Sequence, residues 1–273
     1  MISMESDQLK RVGKHKNIAS MVTKGKGMYN KPGKEGTMVN FIVLDYVSEG
    51  ELICFINKTN PLTEDLGRYC FAQILEGLEH VHKTGIAHRD MKIENILMDS
   101  DYTVRLTDFG FAGPLKGRGR DGKLTTNLGT PAYLAPEVII KQPYYGEKMD
   151  IFATAVCLFI LLGFNFPFIN AQTNDDWYKL ICTKKIDEYW STIAQFIKVS
   201  ESFSPEFKDL FIKCVSHDPA NRPSISEIRQ HPWMQIPHIS RDQAVEQLKA
   251  RKAENKTAME KLKKSSKIAS INS

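Results

Sequence analysis

The sequence predicts an α+β fold, with a small β-containing part joined to a larger, mainly helical body. Three observations predict it. A strand-like run, VNFIVLDYV, stands at 39–47 near the start. Apolar residues recur at helical spacing from Thr63 onward, and beyond residue 135 almost every segment reads as helix. The fourteen residues IFATAVCLFILLGF at 151–164 carry no charge and precede Asn165 and Pro167. That run falls short of the roughly twenty apolar residues that cross a bilayer, so it predicts a helix buried in a large core.

Taken in order, residues 4–12 read as the end of a helix stopped at Gly13, and 18–22 as a short strand. A Lys/Gly-rich loop is expected over 23–36, followed by the strand at 39–47. Thr63 suits a helix cap, with Glu64 and Asp65 in the positive first turn. Leu66, Cys70, Ile74, Leu78 and Val81 then share one face up to Gly85. Two strands, 96–98 and 103–106, flank a turn at 99–101. Ser204-Pro205 starts another helix, and Ser224 to Glu227 is a capping box.

Five cysteines without C-x-x-C spacing argue against a disulfide framework and for a reducing compartment, cytoplasmic or nuclear. The charged N-terminus lacks the apolar run of a signal peptide. Of the formal charge of +5, all belongs to residues 241–273, with nine Lys and Arg against four Asp and Glu. The rest is balanced, so the composition points to no nucleic-acid partner. The tail carries Val245, Leu248, Met259 and Leu262 at helical spacing, interrupted by Lys252 and Asn255. It reads as a partly helical or disordered basic segment, or as a basic amphipathic helix that docks on the body, a regulatory partner or an anionic surface.

The chemistry concentrates at 88–110. Asp90 and Asn95 lie on a loop before one strand, and Asp108 on the turn after the next. Carboxylate and amide oxygens brought together suit Mg²⁺, a hard cation that shares its coordination shell with substrate phosphates. Lys92 beside Asp90 adds a fixed positive charge next to a transferring phosphate. Phosphoryl transfer needs this combination.

His88-Arg89-Asp90-Met91-Lys92-Ile93-Glu94-Asn95, Asp108-Phe109-Gly110 and Ala135-Pro136-Glu137 stand in an order and spacing that resemble the eukaryotic protein kinases, over about residues 5–234. Lys92 and Gly129-Thr130-Pro131-Ala132-Tyr133 resemble the serine/threonine branch. His231-Pro232-Trp233 resembles the calmodulin-dependent and AMP-activated group. The resemblance implies a two-lobed fold: a partial N-lobe at 1–47, a C-lobe at 48–236 and a tail at 237–273. It implies ATP and Mg²⁺, and protein substrates with Ser or Thr acceptors. Asp90 resembles the catalytic base, Asn95 and Asp108 the metal ligands, and Lys92 a catalytic cation. Leu44, Asp45 and Val47 resemble the segment that meets adenine, Leu97 the apolar residue beneath it, and Glu51 a ribose or substrate contact. Glu137 and Arg222 resemble a buried bridge, and Asp150, opening the 151–164 helix, an anchor of the catalytic loop. Thr126 resembles a phosphorylated activation threonine with Arg89 as its cationic partner. Glu51 and Glu94 also match acids that read basic residues upstream of the acceptor.

The resemblance also implies a Gly-rich loop and a lysine ahead of the 4–12 helix, where Glu5 resembles the lysine's partner. The sequence as given shows neither, so the N-lobe is expected to be truncated. The G-x-G-x-x-G at Gly117, Gly119 and Gly122 lies in the activation segment and reads as flexible chain. A kinase-like scaffold with impaired turnover therefore stays open beside the active kinase. A small-molecule phosphotransferase is disfavoured by Glu137 and Arg222, which belong to the protein-substrate apparatus. His80, His82 and His88 read as packed or solvated side chains rather than a metal cluster, because residues two apart on a helix face different ways.

Overall fold

A computed structural model describes residues 2–33, 35–115, 122–197, 203–237 and 239–269, without the side chains of residues 2, 3 and 258–269. The chain begins with helix α1 (Ile2–Val12), which packs on the antiparallel pair β1 (Met21–Tyr29) and β2 (Thr37–Leu44). The sequence reading needs correction here, since half of the expected 23–36 loop belongs to strand β1. Glycine and lysine score poorly as strand formers, but the partner decides. Gly25 and Gly27 lie beneath the Phe41 ring, where a Cβ on Gly25 would come within 2.8 Å of it. Lys24 reaches across to donate to Ser6 Oγ at 2.8 Å. The expected 18–22 strand shrinks to a single parallel bridge from Ile18 to Leu106, and β1 starts only at Met21.

Residues 45–49 lead into a three-stranded antiparallel sheet of β3 (Gly50–Glu51), β5 (Ile96–Met98) and β6 (Val104–Leu106). Its register sets Glu51 opposite Leu97 and Ile96 opposite Leu106. Between β3 and β5 run helix α2 (Glu64–Lys83) and β4 (Ile86–Ala87), which pairs with β7 (Gly113–Pro114). The predicted stripe of α2 is fully buried. Thr63 occupies the cap position but its side chain makes no capping bond. Glu64 instead turns to the later helices, accepting from Ser204 N and Oγ and from Trp233 Nε1 at 2.6–2.7 Å.

The remaining helices are α3 (Pro136–Ile139), α4 (Gly146–Gly163), α5 (Asp176–Cys182), α6 (Ile186–Phe196), α7 (Pro205–Cys214), α8 (Ile225–Gln230), α9 (Pro232–Gln235) and α10 (Arg241–Ala269). Helix α4 is buried on nearly every side and forms the centre of the body, where Phe159 meets Trp190, Phe203 and Phe211. It starts at Gly146, so Asp150 sits inside its second turn rather than opening it. Ser204 caps α7 through Phe207 N, and the capping box of α8 is complete. Among the described residues, no helix is long and apolar enough to cross a membrane.

The tail forms a helix that packs on the body. Helix α10 opens on a second capping box, in which Gln243 N donates to Ser240 Oγ and Ser240 N to Gln243 Oε1. Ala244 and Leu248 are fully buried. Lys252 and Asn255, expected to interrupt an apolar face, are contact residues. Met259 and Leu262 have side chains outside the described set.

Candidate active site

The catalytic-loop residues are held from below by one buried carboxylate. Asp150 accepts from the backbone N–H of His88 and of Arg89, both at 2.8 Å, and pairs with His82 Nε2 at 2.8 Å. Burial leaves it no water to bond, so the loop supplies its partners. Arg89 follows with φ of +65°, a left-handed conformation that a non-glycine residue adopts only when its surroundings impose it. The buried His88 ring donates from Nε2 to Thr107 O at 3.0 Å and accepts Asp90 N–H at Nδ1. Accepting at Nδ1 requires the neutral ring, and burial, the largest influence, lowers the His88 pKa in the same sense.

Asp90 is only 3% exposed, yet its carboxylate is well partnered. Thr130 Oγ1 donates to Oδ1 at 2.9 Å, Lys92 Nζ lies 2.8 Å from Oδ2, and Asn95 Nδ2 donates to Asp90 O at 2.9 Å and Oδ2 at 3.3 Å. Burial alone would lower the Lys92 pKa. The hydrogen bond to Asp90 and the charges of Asp90, Asp108 and Glu94 outweigh it and hold the ammonium above its ordinary value. In the sequence Thr130 stands out only as part of a motif, because its bond to Asp90 across forty positions leaves no local signal.

Asn95 spends its amide N–H groups on Asp90, which leaves Oδ1 as the atom able to meet a cation. Thr107 N donates to Asn95 O at 3.0 Å, so Asp108 follows directly beside it. Asp108 is exposed, with φ of +63°, and its Oδ1 accepts a local bond from Gly110 N. Asp90, Asn95 and Asp108 thus share one neighbourhood, and the Lys92 ammonium feels both carboxylates. Helix α1 brings Glu5 to the same cleft. Burial first, and then the charge of Asp108, raise the Glu5 pKa.

The residues expected to face adenine differ in exposure. Leu44 and Leu97 are half-buried, Val47 is buried, and Asp45 and Glu51 are exposed. Asp45 N donates to Ser20 O, and Asp45 Oδ2 accepts from Ser20 N, which ties this connection to the segment ahead of β1.

On the far side, Arg222 donates to both carboxylate oxygens of Glu137 at 2.7 Å, with Arg222 1% and Glu137 6% exposed. Arg222 also lies over the Phe152 ring and donates to Ser216 O, while Lys148 donates to its carbonyl. Arg89 donates through Nε to Phe111 O at 2.6 Å and lies close enough to Tyr144 for its charge to lower that phenol's pKa against the larger effect of burial, and the Tyr144 hydroxyl donates to Thr126 O at 2.9 Å. The Thr126 side chain is exposed. Gly117 and Gly119 of the G-x-G-x-x-G lie outside the described residues. The three histidines go separate ways, His80 to Val12 O, His82 to Asp150 and His88 to Thr107 O. Among the described residues, no group of three His, Cys, Asp or Glu could hold a metal. A site built from Asn95, Asp108 and phosphate oxygens needs no such group.

Comparison with known proteins gives the same direction. The protein kinase domain family matches residues 1–234. The chain is 36% identical over 193 residues to CBL-interacting protein kinase 26 of Oryza sativa subsp. japonica, covering 71% of this chain and 36% of that protein. It is 36% identical over 194 residues to CBL-interacting serine/threonine-protein kinase 5 of Arabidopsis thaliana, covering 71% and 41%. It is 33% identical over 223 residues to Serine/threonine-protein kinase chk1 of Schizosaccharomyces pombe, covering 81% and 41%. The chain spans about two fifths of the length of these relatives.

Proposed function

The chain belongs to the protein kinase family, and on that premise we propose that it transfers the γ-phosphoryl of ATP to Ser or Thr hydroxyls of proteins. One observation carries this reading: the Asp90 carboxylate is buried, held by Lys92 and Asn95, and already accepts a hydrogen bond from a threonine hydroxyl. An acceptor hydroxyl of a substrate would present the same chemistry. Asp90 takes its proton, and Lys92 offsets the negative charge gathering on the phosphoryl oxygens. Asn95 Oδ1 and Asp108 are the oxygens that would hold Mg²⁺, which supplies charge neutralisation on the phosphates. Leu44, Val47 and Leu97 offer an apolar bed for adenine, with Asp45 beside it and Glu51 toward the ribose. The exposed Glu51 and Glu94 favour basic residues in the substrate. All five cysteines are free thiols, which supports a reducing compartment, cytoplasmic or nuclear.

A non-hydrolysable ATP analogue with Mg²⁺ tests the site without requiring turnover. At about a hundred times its Kd it should stabilise the chain by about 2.7 kcal/mol in thermal unfolding. Asp108→Asn should remove the Mg²⁺-dependent part of that gain. A wild-type chain whose unfolding ignores the Mg-nucleotide at millimolar levels would end the proposal.

We infer further that phosphorylation of Thr126 raises activity. Arg89 is near Tyr144, whose hydroxyl donates to the Thr126 carbonyl, and a phosphate on Thr126 would add charge-assisted bonds to this segment. Thr126→Ala should lower the activity of the phosphorylated form by about tenfold or more, the worth of one such bond. Equal rates for both proteins after treatment with an activating kinase would overturn it.

A further inference from the structure

Helix α10 lies beyond the residues that the family matches, and nothing in the family match accounts for it. Its contacts are concentrated on one small region. Lys252 Nζ donates to Glu49 O at 3.0 Å and pairs with the Glu49 carboxylate, immediately ahead of β3. The same ammonium lies 5.7 Å from the centre of the Phe55 ring, just after β3. Asn255 donates to Cys54 O at 2.9 Å and accepts from Asn57 Nδ2. Arg251, 9% exposed, donates to the carbonyls of Asn60 and Pro61, both at 2.9 Å. Beside them Arg241 donates to Asp101 O at 2.9 Å, and Lys249 lies over Tyr102, in the turn between β5 and β6.

These contacts gather at one end of the β3–β5–β6 sheet, where Glu49 N donates to Met98 O and the Phe55 ring meets Tyr102. That sheet sets Glu51 against Leu97, and its strands β5 and β6 run directly from Asn95 and to Asp108. β3 is two residues long and its ladder has two residue pairs, so its own pairing holds it weakly. Carbonyls of Glu49, Cys54, Asn60 and Pro61 that would otherwise seek water are instead taken by side chains of one rigid helix.

We propose that residues 241–255 are a positioning strap that holds the β3–β5–β6 sheet in the arrangement the nucleotide site requires, with Lys252 and Asn255 as positioning residues. The link to nucleotide rests on the kinase reading above; the mechanical link to the sheet does not. Ala244 and Leu248 anchor the strap in the core, so removing the whole helix would expose that core. The polar grip can be cut while the anchor stays.

The experiment is the Lys252→Ala/Asn255→Ala variant of the full chain, compared with wild type and with Lys252→Arg. Amide hydrogen exchange across 49–57 and 97–102 should become about tenfold faster in the double variant (about 1.4 kcal/mol), while α4 keeps its protection. Affinity for the non-hydrolysable Mg-nucleotide should fall about fivefold, and Lys252→Arg should restore most of both. Unchanged exchange in those segments, or nucleotide bound as well or better without the grip, overturns the strap. A wild-type chain that binds no nucleotide refutes the kinase reading alone, and the exchange comparison then decides the strap by itself.

Discussion

Arg222→Ala is expected to cost about 3–5 kcal/mol of stability, because it strands the Glu137 carboxylate in a buried site without its two charge-assisted bonds. For a body of this size that corresponds to a fall of roughly 10 °C in Tm, read by calorimetry or circular dichroism. Part of the loss comes from packing, since the guanidinium also covers Phe152 and satisfies the Ser216 carbonyl. Arg222→Lys should recover only part of it, because an ammonium cannot form the two-pronged bond. Replacing Glu137 and Arg222 together by methionine should be milder than Arg222→Ala, since no charge is then left unpaired. A single variant that loses less than about 1 kcal/mol would show that water or another cation reaches Glu137.

The second large effect is on rate. Asp90→Asn should lower phosphoryl transfer by about 10² to 10⁴ fold, the usual worth of a positioned base. The fold should survive, because the asparagine oxygen can still accept one bond from Thr130 or Lys92. Nucleotide affinity should change little, since the role proposed for Asp90 is toward the acceptor hydroxyl rather than the phosphates. Single-turnover assays separate these terms. Transfer that persists at near wild-type rate in Asp90→Asn, with binding intact, would remove Asp90 from the chemistry.

Much of this molecule is legible in advance because the informative residues are close together in the chain. The α2 stripe and the caps at Ser204 and Ser224 follow from backbone geometry that repeats every few residues. Strand β1 escapes a sequence reading because its composition, TKGKGMY, resembles a loop until Phe41 of β2 is laid over Gly25 and Gly27. Helix α10 does carry a local signal: Ser240-Arg241-Asp242-Gln243 is a capping box as plain as the one at Ser224. Its grip on residues 49–61 has no such signal, since the partners of Lys252 and Asn255 lie about two hundred positions away.

Composition and local pattern were enough to specify a helical body with a small sheet-bearing part, and to single out Asp90, Asn95 and Asp108 as the residues proposed for the reaction. Their meaning is carried by residue type and short spacing, which the unfolded chain already possesses. The assembled molecule alone settled that Asp150 grips His88 and Arg89, that Thr130 faces Asp90, and that a basic tail is part of the folded body. Each of these is a long-range hydrogen bond or a shared burial, and such interactions exist only once the core has brought distant segments within reach of one another.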